Sequence, residues 1–110
     1  MLKSYVVESN KLSLTVSAEN RREAFIKFFI YVFKNWSKVR DKIGILATLE
    51  EDGEQYGIRT IPTLLNLRLI DNRTALDTLR IALGDVSLNE LYVWCLQDRW
   101  IAKEVLKNIG

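Results

Sequence analysis

The sequence predicts an α+β fold: a ββαββ four-stranded, mostly antiparallel sheet packed on a central helix, followed by a C-terminal segment of three helices. Three observations carry that expectation. The stretch Asn20 to Trp36 (NRREAFIKFFIYVFKNW) is apolar on nearly every side, Leu12 to Ala18 (LSLTVSA) alternates without fault, and after Pro62 the spacing of apolar residues changes from strand-like to helical. A helix greasy all round is buried on more than one side, so elements before and after it must cover it.

Leu2 to Glu8 (LKSYVVE) favours a strand, and Ser9-Asn10-Lys11 supplies turn residues ahead of the next one. In that second strand Leu12, Leu14, Val16 and Ala18 point one way and Ser13, Thr15 and Ser17 the other, which is a half-buried strand with one wet face. Asn20 can cap the central helix, with Glu23 three residues on to reach back. Asn20, Glu23, Lys27, Lys34 and Lys38 fall at steps of three, four and seven, so its wet surface is one narrow stripe, in which Tyr31 can sit with its hydroxyl outward.

Ile43, Ile45, Ala47 and Leu49 alternate next, and Asp52-Gly53 before Tyr56 to Arg59 is a strong hairpin signal. Thr60-Ile61-Pro62 reads as a helix entry, giving a short helix from Thr63 to Ile70. Asp71-Asn72-Arg73 breaks it, Thr74 with Asp77 caps a second helix over Ala75 to Leu83, and Gly84 ends that one. Ser87 and Glu90 form a capping box for a long last helix, Leu88 to about Lys107. The expected organisation is one domain over 1–110, with the ββαββ part at 1–61 and the helical part at 62–110 packed on it.

Composition excludes several classes. With 48% hydrophobic and 27% charged residues the chain is neither disordered nor fibrous. The run Ala24 to Phe33 is shorter than the ~20 residues a membrane span needs, with Lys27 inside it and Lys34 at its end. No secretory leader is legible and Cys95 is the sole cysteine, so the expected location is cytoplasmic, with no membrane partner. Charge is polarised: Met1 to Lys42 carries nine Lys/Arg against four acids, whereas Ile43 to Asp85 carries four Arg against seven acids.

The chain has no His, which removes Ser-His-Asp and Cys-His triads and any His-based metal site. Cys95, flanked by Trp94 and Leu96, reads as a small buried hydrophobe rather than a reactive thiol. Glu50, Glu51, Asp52 and Glu54 cluster at a hairpin tip, where a solvated turn that discourages edge pairing explains them. Scattered glycines give neither a P-loop nor a dinucleotide fingerprint. The expectation is therefore no enzyme, no cofactor and no metal.

Two functional readings follow. The leading one is a small non-enzymatic interaction protein that self-associates, as a homo-oligomer (dimer), or docks a protein partner through the apolar surplus of its last helix. Trp94, Trp100 and Ile101 would be its interface residues, since two all-round apolar helices are hard to hide in so small a domain. The alternative is a nucleic-acid-binding accessory protein. Arg21, Arg22, Lys38, Arg40 and Lys42 flank the two ends of the central helix, with Lys3 and Lys11 able to join them. Ala75 to Tyr92 imitates a helix-turn-helix, but its second helix starts Leu88-Asn89-Glu90 and has no cation before Arg99, which suits a major groove poorly.

Overall fold

The structure, a computed structural model, describes residues 1–109. It holds β1 (Lys3–Ser9), β2 (Leu12–Ala18), α1 (Arg21–Lys34), α2 (Trp36–Val39), β3 (Leu46–Glu51), β4 (Glu54–Arg59), α3 (Ile61–Asn66), α4 (Asn72–Leu83), α5 (Leu88–Gln97) and α6 (Arg99–Lys107). The α+β expectation holds: the four strands form one antiparallel sheet in the order β2-β1-β3-β4.

Both hairpins turn where the sequence places them. Asn10 takes φ 53 between β1 and β2, and Asp52-Gly53 takes φ 53 and 81, the pair of positive values that matches strand twist. Alternation then sets the faces. Tyr5, Val7, Leu12, Ala18, Ala47 and Leu49 are buried on the inner face, while Ser4, Glu8, Ser13, Thr15, Ser17 and Glu50 meet solvent on the outer one.

Helix α1 lies on the inner face against β1 and β2 with α6 on its other side, so the phenylalanine-rich segment is sandwiched as its pattern requires. Phe28 and Phe29 are fully buried and meet edge to face at 5.3 Å, the favoured geometry for ring quadrupoles. Asn20 Oδ1 accepts from the Glu23 amide at 2.9 Å. Glu23 does not complete the box; its carboxylate lies 3.3 Å from Lys27 instead.

Strand β3 starts at Leu46 rather than Ile43, and four helix assignments depart from expectation. The central helix stops at Lys34 because Asn35 leaves helical geometry at φ −120 and returns its amide to the Tyr31 carbonyl, so Trp36 and Lys38 belong to α2. Helix α3 spans Ile61–Asn66, not Thr63 to Ile70, since Arg68 adopts φ 61 and Leu69 N–H closes back on the Leu64 carbonyl. Asp71, not Thr74, caps α4, its carboxylate accepting from Thr74 N–H at 2.8 Å. The long last helix is two, α5 and α6, separated at Asp98, so the C-terminal part holds four helices rather than three.

Ser87 and Glu90 do form the capping box of α5. No helix among the described residues is long and apolar enough to cross a membrane.

Candidate functional site

Helix α5 is apolar nearly all round, and tertiary packing decides which arc is covered. Leu91 is fully buried, and α5 packs against α3 through its Trp94 and Cys95 side, where Asn66 Nδ2 donates to the Cys95 carbonyl at 2.9 Å. The opposite arc is left to water: Leu88, Tyr92, Val93 and Leu96 are 40%, 47%, 50% and 66% exposed. Leu88, Tyr92 and Leu96 recur at every fourth position and so form one stripe down the helix, with Val93 beside it. Asn89 lies within that arc and Gln97 and Glu90 border it, so Glu90 is its one charge.

The residues expected to anchor an interface sit elsewhere. Ile101 is fully buried within the single chain and lies in its core, which corrects its assignment to a docking surface. Trp94 and Trp100 are half-buried and each is capped from within: the Arg59 guanidinium lies 5.4 Å over the Trp94 ring, and that of Arg22 lies 4.7 Å over Trp100. The three residues form no common exposed face. The stripe that does was legible as a four-residue repeat, but LYVWCL is apolar at every position, so periodicity alone could not say which side faced out.

The basic residues divide between two places. Arg21 and Arg22 open α1, while Lys38, Arg40 and Lys42 follow its far end, ~21 Å away along a 14-residue helix. At that far end the Lys11 amide donates to the Lys42 carbonyl at 2.9 Å, which brings the β1–β2 turn alongside. Lys11, Lys34, Lys38, Arg40 and Lys42 are all exposed, none forms an ion pair among the described residues, and Asp41 is the acid beside them.

At the near end the acidic hairpin tip folds back onto the arginines. Glu51 accepts from Tyr5 Oη at 2.6 Å and from Arg21 Nη1 at 3.0 Å, with Lys3 Nζ at 3.6 Å. The hydrogen bond to Glu51, then burial, pushes the Tyr5 hydroxyl up to about 12. The same bond, then that from Arg21, holds the Glu51 carboxyl below its ordinary range, and Glu51 in turn raises Arg21. Tyr56 is raised through its hydrogen bond to Glu54, and the Arg21 guanidinium lies 3.8 Å over its ring.

These groups surround a cleft of about 510 Å³ lined by Lys3, Tyr5, Glu19, Asn20, Arg21, Arg22, Phe25, Glu51, Tyr56, Gly57, Ile58 and Trp100. Sequence reading found Arg21 and Arg22 here, took Glu51 as part of a solvated turn and missed Tyr56. Strand registry, which sets the hairpin tip beside α1, is the missing link.

Among the described residues no group of three or more His, Cys, Asp or Glu is placed to hold a metal ion. Cys95 is half-buried, its thiol pushed up by burial and then by Asp98, with Sγ 3.9 Å from the Pro62 carbonyl. Compared with family models, with curated proteins and with solved structures, the chain matches none.

Proposed function

We propose that this chain is a small non-enzymatic interaction protein that pairs with a second copy of itself through the exposed stripe of α5. The single observation behind the reading is that Leu88, Tyr92, Val93 and Leu96 leave their side chains in water on one arc of a short helix. Burying that surface is favourable at ~25 cal/mol per Å² of apolar area.

A second copy fits the stripe better than an arbitrary partner because the stripe is self-complementary. An antiparallel pair with its two-fold axis at Tyr92 sets Leu88 of one protomer against Leu96 of its partner, twice, and Tyr92 against Tyr92. Charge does not oppose this, since Glu90 is the one ionised side chain in α5. The four side chains offer on the order of 350 Å² per copy. A symmetric pair thus buries on the order of 700 Å², below the ~1,200 Å² of stable complexes, so the pair is a weak one.

Sedimentation between about 10 µM and 1 mM tests this. The expected result is a concentration-dependent dimer that Leu96→Glu abolishes while leaving the circular dichroism unchanged. A monomer throughout, or a dimer indifferent to Leu96→Glu, overturns the reading. Replacing Trp94 and Trp100 is a less direct probe, because Arg59 and Arg22 of the same chain partly cover them.

The alternative, nucleic-acid binding, is favoured by one observation: Lys11, Lys34, Lys38, Arg40 and Lys42, none of which forms an ion pair among the described residues, gather at one end. On this reading the basic end, not Arg21, carries phosphate contacts. Binding to a labelled single-stranded oligonucleotide should then fall with salt at a log–log slope of about −3 for four contacts, and Lys38→Glu with Lys42→Glu should abolish it.

A further inference from the structure

The cleft at the start of α1 is used by neither reading above, and its walls are chemically specific. Arg21 and Arg22, adjacent in sequence, diverge to different elements: Arg21 lies over Tyr56 of β4, Arg22 over Trp100 of α6. Each guanidinium is backed on one face by a ring; Arg21 already gives an N–H to Glu51, whereas the N–H edge of Arg22 stays available. We propose that this cleft binds a small planar anion, a phosphate-bearing ring of the nucleoside monophosphate class, with its phosphate on the Arg22 fork and its ring against the backed guanidinium planes.

Four observations lead there. The volume of about 510 Å³ lies within the range of small-ligand sites, ~300–1,000 Å³. Charge favours an anion: Lys3, Arg21 and Arg22 face Glu19 and Glu51, and Glu51 is already engaged by Tyr5, Arg21 and Lys3. Arg22 has neither a hydrogen-bond acceptor nor an ion-pair partner among the described residues, although Trp100 holds it in place. Arg22 is exposed and its donors face water, and a guanidinium steadied by Trp100 exchanges that water for two parallel hydrogen bonds when a phosphate binds. Finally, Glu50, Asp52 and Glu54 stand on the adjoining hairpin tip outside the lining, where they oppose a strand that extends beyond the cleft more than a ligand held within it.

Proton–nitrogen correlation spectra of the full chain, titrated with adenosine monophosphate, adenosine or inorganic phosphate, test the proposal. The expected result is shifts confined to Asn20–Glu23, Tyr56–Ile58 and the Trp100 indole, with a Kd for the nucleotide of ~10 µM to 1 mM. Adenosine and phosphate alone should each bind at least about tenfold more weakly. Arg22 is exposed, so Arg22→Ala should fold normally and weaken the nucleotide at least about tenfold, with Arg22→Lys intermediate because it keeps the charge and loses the planar fork. No shifts at about 10 mM nucleotide, shifts centred on Lys38 and Arg40, or binding unaffected by Arg22→Ala overturn the site. Equal binding of phosphate and nucleotide overturns the planar-ring part of the ligand class.

Discussion

Arg59 at the end of β4 holds Asp98 through two bonds, Nε to Oδ2 and Nη2 to Oδ1, both at 3.2 Å. The Asp98 side chain is 13% exposed, and it stands where the helical path from Leu88 to Lys107 breaks. The pair thus joins the sheet to the junction of α5 and α6, and the same guanidinium covers Trp94. Because Arg59 is more than a third exposed, solvent screens part of the gain. Asp98→Ala should cost about 1 kcal/mol in urea unfolding, and Asp98→Asn less.

Titration at the hairpin tip should make stability fall at both ends of the pH scale. Glu51 is held below its ordinary value of 4.5, so its contribution is present above that pH and is lost as pH falls through the depressed folded value. Tyr5 is raised from 10.0 to about 12, so its contribution is present below pH 10.0 and is lost as pH rises from there towards 12. Thermal unfolding across pH 2–12 should show both losses. Glu51→Gln should flatten the acid side, and Tyr5→Phe the alkaline loss between pH 10 and 12.

Gly84 ends α4 at φ 84 and ψ −140, a conformation that side chains resist. A Cβ there meets nothing within 4 Å, so the cost of Gly84→Ala is purely one of backbone strain, about 1–3 kcal/mol. Urea unfolding of Gly84→Ala checks this, and a loss below about 0.5 kcal/mol contradicts it.

Thr63 is fully buried in α3, and its hydroxyl is the buried side-chain atom without a hydrogen-bond partner among the described residues. Thr63→Val keeps the shape and removes the orphan group. It should leave stability unchanged or raise it by up to about 1 kcal/mol, read as an increase in the midpoint of thermal unfolding.

Local chemistry was legible in the sequence, and long-range pairing was not. The Asp52-Gly53 turn, the β2 alternation and the Asn20 and Ser87 caps rest on neighbours within a few positions, and each formed as read. The break at Asp98 had no Pro or Gly to announce it; it coincides with an ion pair to a residue 39 positions earlier. Trp94 and Trp100 looked surplus because the arginines that cover them, Arg59 and Arg22, arrive from β4 and α1. The same reason hid the cleft: Arg21 and Glu51 meet at 3.0 Å only once the sheet has formed.

Lys27 has a task beyond its place in the polar stripe of α1. Its ammonium donates to the Ser17 carbonyl of β2, an outermost strand of the sheet. That carbonyl is a rung on which a foreign chain would begin to zip, and a bulky cation parked there makes the start of such growth unfavourable. One side chain from the helical layer thus occupies an acceptor at the open margin of the sheet that edge-to-edge pairing would need.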